Sequence, residues 1–147
     1  MYEHEDFGLN FQLSKVNTIP DSLKSLFIET LKKIDSDLIT YYQNLNHNVE
    51  DYFLLSLDSK LIGYSKLILD NNYYVLSEIF VLNEYRNLGL GTFMLDSIRD
   101  FVHSKNIKLR TITLPSDRIS KNFYEANGIT ARILFMEEKR ENTRYRS

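Results

Sequence analysis

Glu78-Ile79-Phe80-Val81-Leu82-Asn83-Glu84-Tyr85-Arg86-Asn87-Leu88-Gly89-Leu90-Gly91-Thr92 is the stretch on which the reading of this chain turns. An apolar, β-branched and aromatic run leads into a polar loop with glycine at two alternate positions, and the loop leads directly into a helical pattern. Glycine permits positive φ and close approach of a ligand. The first N–H groups of a helix have no partner within it. With the helix dipole they make an anion site, and Arg86 adds a planar fork of donors suited to phosphate. A tight strand-to-helix turn with no ligand would use the same glycines. Two other phosphate loops are excluded: Gly91 is followed by Thr92-Phe93 rather than Lys-Ser/Thr, and position 94 is Met rather than a third glycine.

Outward from this loop the chain reads as one mixed sheet with helices. Leu9 to Val16 alternates loosely, as a first strand. Pro20-Asp21 opens a helical pattern with Leu23, Leu26, Phe27, Leu31 and Ile34 on one face, and a second short helix is expected over Asp37 to Leu45, with Leu38, Tyr41, Tyr42 and Leu45 apolar. Tyr52–Leu57, Leu61–Leu69 and Tyr73–Leu82, separated by short polar turns, predict an antiparallel meander. Met94, Leu95, Ile98, Phe101 and Val102 mark an amphipathic helix from Gly91 to Lys105. Lys108 to Leu114 is a strand stopped by Pro115. Ser116 or Asp117 caps a short helix with Ile119, Phe123 and Ala126 as its apolar side, and Gly128 ends it. Ile129 to Met136 is expected as a last strand, before a polar tail. The β-α-β unit through the glycine loop requires its two strands to be parallel and its crossover right-handed.

The 147 residues suit a single domain, 1–147, with its own core. The absence of cysteine excludes disulfides, thiolate catalysis and Cys-ligated zinc. A formal net charge of −2 lacks the basic excess of a nucleic-acid binder. No apolar run approaches the ~20 residues of a membrane helix, and the acidic start lacks a signal peptide's features, so no membrane partner and a cytoplasmic location are expected. His4, His47 and His103 are scattered and do not have metal-ligand spacing, so no metal is expected.

Arg86-Asn87-Leu88-Gly89-Leu90-Gly91 resembles the acetyl-coenzyme A motif of the GNAT superfamily of N-acetyltransferases, and Val81-Leu82-Asn83-Glu84-Tyr85 resembles its entry. Downstream, Phe123-Tyr124-Glu125-Ala126-Asn127-Gly128 is similar to the family's Leu-Tyr-Glu-Lys-x-Gly. Upstream, Leu61-Ile62-Gly63 is similar to its Ile-Val-Gly strand. The resemblance spans Tyr52 to Met136. It implies a mixed α/β (α+β) fold: a mainly antiparallel central sheet flanked by helices, with a parallel strand pair splayed around the cofactor. It further implies transfer of an acetyl group from acetyl-coenzyme A to a primary amine by direct attack in a ternary complex.

The residues the resemblance assigns to the cofactor are Phe80, Val81, Leu82, Arg86, Asn87, Leu88, Gly89, Leu90, Gly91, Thr92, Asn122 and Phe123. The family's strand bulges, and an N–H near Val81 would polarise the thioester carbonyl. Tyr124 corresponds to the acid that meets the leaving thiolate. Glu78, an acidic residue in an apolar strand, is the candidate base or ammonium-binding group, since an alkyl ammonium of pKa ~10.4 must lose a proton before it attacks. The bland alternatives are a solvated Glu78 and a Tyr124 that only packs. Asp117 and Ser120 depart from the family's Asn and Ala; a charged Asp117 beside phosphates is unfavourable, so a helix-cap role is expected for it. The partner would be a small-molecule or peptide amine recognised around Lys32 to Asn48, with Asp35, Asp37, Tyr41 and Tyr42; a homodimer is compatible. Two other readings use the same sequence: an acyl-coenzyme A sensor without catalysis, and a cofactor-free interaction domain.

Overall fold

The first strand, β1 (Tyr2–Asp6), is one that the sequence reading did not anticipate. It pairs antiparallel with β2 (Leu9–Val16) through the two-residue turn Phe7-Gly8. Both turn residues have positive φ, 51° and 75°, which matches the twist of a tight hairpin. The computed structural model describes residues 1–36, 39–40, 49–114, 116–134, 136 and 138. The helix expected over Asp37 to Leu45, including Leu38, Tyr41, Tyr42 and Leu45, lies outside them apart from residues 39–40.

Helix α1 (Asp21–Asp35) starts after Pro20 and buries Leu23, Phe27 and Leu31, one residue per turn along one stripe. The meander follows as β3 (Val49–Leu57), β4 (Lys60–Asp70) and β5 (Tyr73–Val81). A short 3-10 turn, Asn83–Tyr85, leads to α2 (Leu90–Ser104), then β6 (Lys108–Thr111) and α3 (Arg118–Ala126). The six strands form one sheet in chain order. All neighbours are antiparallel except β5 and β6, which are parallel as the crossover requires.

The sheet has a core on each face. Phe11, Leu13, Phe53, Leu55 and Leu76 meet Met94, Leu95 and Ile98 of α2 on one side. Leu23, Phe27 and Leu31 of α1 meet Tyr52, Tyr64 and Phe80 on the other. Strands β4 and β5 come so close at Gly63 that a Cβ there would collide with the carbonyl oxygen of Phe80.

Three expectations are corrected. Strand β6 stops at Thr111 rather than Leu114, because its last ladder bond is Ile112 N–H to Leu76 carbonyl, and beyond Leu76 β5 has left its reach. Residues 129–134 form no strand; nothing pairs there with β6 among the described residues, and Ile133, Leu134 and Met136 are exposed. An apolar run alone does not hold a strand without a ladder partner. In α3, Ile119 is 82% exposed and Ala126 is exposed. Phe123 and Tyr124 carry the inward stripe. At about 100° per residue, Ile119 lies roughly 140° around the helix from Tyr124.

Two stability outcomes follow from this packing. Gly63→Ala should lower the unfolding free energy by about 1–3 kcal/mol in urea titrations, because the obstructing atom is backbone and cannot rotate away. Alkali should also weaken the fold. Tyr74 donates to Asp51 at 3.0 Å, and burial first, then this bond, pushes its phenol up to about 12. Burial likewise raises Tyr52, Tyr64 and Tyr124. Their folded values lie above the unfolded ~10, so this stabilisation is intact below pH 10 and is lost as pH rises through the folded values. Urea unfolding at pH 8 and pH 11 should show the decline; equal stabilities would refute it.

Candidate active site

The glycine loop is built as an anion cradle. Gly89 is the N-cap of α2 with φ 72°, and a Cβ there would meet nothing within 4 Å, so its surface is open. The first helical N–H to find a carbonyl is that of Phe93, on Gly89, at 3.0 Å. Those of Leu90, Gly91 and Thr92 precede it and point outward. Asn87 also takes positive φ, 65°. Leu88 packs against the core and Leu90 is buried, so these two residues offer backbone while their side chains anchor the loop. Thr92 is exposed beside them.

Arg86 is exposed, with Nε donating to the Val81 carbonyl at 3.1 Å and its guanidinium 5.9 Å from the Phe80 ring. That bond uses one of its five N–H donors and orients the rest. Gly91 has a different task from Gly89. A Cβ on it would press on the Phe123 ring at 3.2 Å, so Gly91 lets α3 pack closely onto the start of α2. Asn122 is exposed on α3.

The second feature is a gap in the sheet. Strands β5 and β6 pair only from Tyr73↔Lys108 to Leu76↔Thr111. At that point β5 bulges: Lys66 of β4 faces Glu78 while Leu67 faces Leu76, leaving Ser77 as an extra residue. Beyond the bulge the Leu82 N–H bonds Ile62 of β4 at 2.8 Å. By alternation the N–H groups of Ile79 and Val81 face the open side. A cleft opens there, lined by Ser77 and Ile79 of β5, Ile112 and Thr113 beyond β6, Phe27 and Leu31 of α1, and Asp117, Ser120 and Tyr124.

Tyr124 is buried in this cleft, its phenol raised by burial first and by the Asp117 charge second. Asp117 is the N-cap of α3: Ser120 N–H reaches its Oδ1 at 3.1 Å and Ser120 Oγ its Oδ2 at 2.6 Å. The capping role expected of Asp117 is what the structure shows.

Glu78 is not among the cleft's lining residues. The bulge reverses the parity of β5. Tyr74 and Leu76 pack toward α2, whereas Phe80 packs toward α1, and Glu78 shares its side. There it joins a polar row that the sequence reading missed. Tyr64 donates to Glu78 Oε1 at 2.6 Å. Lys66 Nζ, on a side chain 10% exposed, lies 3.5 Å from Glu78 Oε2 and 3.4 Å from Glu50 Oε1. Tyr52 donates to Glu50 Oε2 at 2.7 Å. Register places Tyr52, Lys66 and Glu78 directly opposite one another on three adjacent strands. The one-residue spacings Glu50-x-Tyr52 and Tyr64-x-Lys66 carry the signal, but two bulges, at β4 and β5, conceal which face they share. Of the histidines, His4 stacks on Phe93 at 5.1 Å and His103 is exposed. Among the described residues no group of His, Cys, Asp and Glu could hold a metal. Of the residues expected to recognise the amine, Asp35 ends α1, while Asp37, Tyr41 and Tyr42 lie outside the described residues.

Residues 17–129 match the model of the acetyltransferase (GNAT) family. The chain belongs to that family. The GNAT fold expected from the loop is thus the observed one, and the class of activity is acyl transfer. No curated protein matches the chain significantly by sequence. Solved structures share its fold at low identity. The aminoglycoside N-acetyltransferase AAC(6')-Iy in complex with CoA is 18% identical, with TM-score 0.59 over 90% of this chain and 97% of that one. An aminoglycoside acetyltransferase from an uncultured soil metagenomic sample, in complex with trehalose, is 14% identical, with TM-score 0.63 over 90% and 97%. A proposed acetyl transferase from Pyrococcus furiosus is 17% identical, with TM-score 0.70 over 88% and 99%. No helix among the described residues is long and apolar enough to cross a membrane.

The polar row predicts a graded response at Glu78. Glu78→Ala leaves Tyr64 without its acceptor and Lys66 with Glu50 alone, and should cost about 1–3 kcal/mol in denaturant unfolding. Glu78→Gln keeps an acceptor for Tyr64 and should cost clearly less. Equal, near-zero losses would mean the row is solvated.

Proposed function

We propose that this chain is a single-domain N-acetyltransferase that moves the acetyl group of acetyl-coenzyme A to a primary amine by direct attack in a ternary complex. The observation that carries the reading is the adjacency of two features: the Gly89 cradle at the start of α2, and the gap that opens beside β5 at Ser77. The cradle and Arg86 suit a pyrophosphate, and the gap suits an extended pantetheine arm. The residues present fit this donor, because the N–H groups of Ile79 and Val81 face the gap and Gly89 offers open backbone.

Each residue then has a role. The Val81 N–H polarises the thioester carbonyl. Tyr124 donates a hydrogen bond to the sulfur as it leaves. Glu78 holds the acceptor's ammonium and takes its proton through water; with Oε1 bound by Tyr64 and Oε2 beside Lys66, direct abstraction would first require a partner to let go. Aminoglycosides, which the names of two structural neighbours give as their substrates, are acceptors to try beside polyamines, amino acids and peptide amines.

Release of free thiol from acetyl-coenzyme A across that set of amines tests the reading. Amine-dependent thiol release is expected; tight binding with no turnover on any amine would favour a sensor. Gly89→Val should abolish coenzyme A binding in calorimetry, through a β-branched residue forced to positive φ at the point of ligand approach. Arg86→Ala should weaken affinity about ten- to a hundredfold, for loss of charge-assisted bonds of ~1.5–3 kcal/mol. Tyr124→Phe should slow single turnover by ~10²–10⁴-fold with coenzyme A affinity retained. Because burial and Asp117 raise the phenol, wild-type rates should show no loss of the Tyr124 donor below pH 10.

A further inference from the structure

We propose that Asp117 determines which acyl groups the cleft accepts, rejecting thioesters whose acyl chain ends in a carboxylate and admitting neutral short chains. This rests on the acetyltransferase reading above and adds the selectivity for the donor.

Asp117 is the charged residue in a cleft whose other walls are apolar or neutral: Phe27, Leu31, Ile79 and Ile112, with hydroxyls from Ser77, Thr113 and Ser120. Both of its oxygens are held by Ser120, through the backbone N–H at 3.1 Å and the hydroxyl at 2.6 Å. The carboxylate is therefore held as the cap of α3. Hydrogen bonds from neutral donors do not cancel its charge, and no ion pair involves Asp117 among the described residues. Its charge adds to the effect of burial on the phenol of Tyr124, which lines the same cleft.

A second carboxylate brought into this space meets that charge at short range and low dielectric. At an effective dielectric of about 20, like charges repel by enough to change affinity about tenfold even at roughly 12 Å, and by more when closer. An acyl chain whose sulfur meets Tyr124 enters the cleft that Tyr124 and Asp117 both line. A neutral acetyl, propionyl or butyryl group meets the apolar and hydroxyl-bearing walls without this repulsion. The family resemblance places Asn where this chain has Asp117, and Asn caps a helix as well as Asp does. The cap alone does not require the charge.

Calorimetric affinities for butyryl- and succinyl-coenzyme A, of equal carbon count, test the proposal. Wild type should bind the succinyl thioester at least about tenfold more weakly than the butyryl one. In Asp117→Asn, and in Asp117→Ser as a second neutral cap, the gap should fall to within about threefold. Thermal melts confirm that each variant is folded. Equal affinities in wild type, or a gap that survives in both neutral variants, would overturn the proposal while leaving the acetyltransferase reading intact. Failure of free coenzyme A to bind wild type would overturn both.

Discussion

One extra residue in one strand organises this molecule. Strand β5 must satisfy β4 on one edge and β6 on the other, and Ser77 interrupts that double commitment. A bulge bends its strand and disrupts the ladder locally. Here the consequence on the β6 edge is that pairing ends at Leu76, so the second half of β5 presents to a gap N–H groups that have no strand partner among the described residues. The consequence on the faces is a change of parity, which sends Phe80 and Glu78 to the α1 side after Tyr74 and Leu76 have faced α2. The gap and the placement of the carboxylate thus have a common origin. The β4–β5 ladder beyond the bulge depends in turn on Gly63, where the strands approach too closely for any side chain.

The polar row is the expensive part of this arrangement. Three side chains capable of charge, Glu50, Lys66 and Glu78, lie between the sheet and α1, where desolvation is unfavourable. Two phenols complete their hydrogen bonding, and the fully buried Tyr64 ring packs edge-on to Phe27 at 6.1 Å. Replacing such a row with apolar residues is often neutral or stabilising in other proteins. What an apolar row could not do is hold a carboxylate at a fixed angle one residue away from the cleft wall formed by Ser77 and Ile79. That is the positional demand the proposed chemistry makes of Glu78.

Much of the fold was legible because its signals are local. The turn residues between β3, β4 and β5, the change of period after Leu82 and the glycines that lead into the next helix are each specified within a few residues. The crossover rule then forces the parallel pair. What stayed hidden depends on pairing. β1 is short and acidic, and its inward side chains show an alternation of only three, Tyr2, His4 and Asp6. The residues around Glu78 could not be grouped in advance, because each bulge inverts which of two alternating sets faces α1. Ile119 was read as inward from its helical spacing to Phe123, but α3 is nine residues long and its burial follows Tyr124. Ile129 to Met136 was read as a strand, and the described residues give it no neighbour to pair with.

Raising a phenol has a consequence for what Tyr124 can do in the proposed reaction. A thiol ordinarily ionises near 8.5 and a phenol near 10. Burial and Asp117 move Tyr124 further above the thiol. Complete transfer of its proton to a free thiolate is therefore uphill, and more so here than for an ordinary tyrosine. A hydrogen bond from a fixed phenol to sulfur that is gaining negative charge has no such penalty, and in a dry cleft it is stronger than in water. Burial, reinforced by Asp117, thus favours Tyr124 as a permanently protonated donor in the proposed reaction and disfavours it as an acid that must be recharged each cycle. The same carboxylate disfavours a thiolate left in the cleft, which promotes final protonation of sulfur from solvent as the product departs. In the proposed reaction, the charge that the helix cap did not require thus adds to burial in favouring a protonated donor, and it would make retention of an anionic leaving group unfavourable.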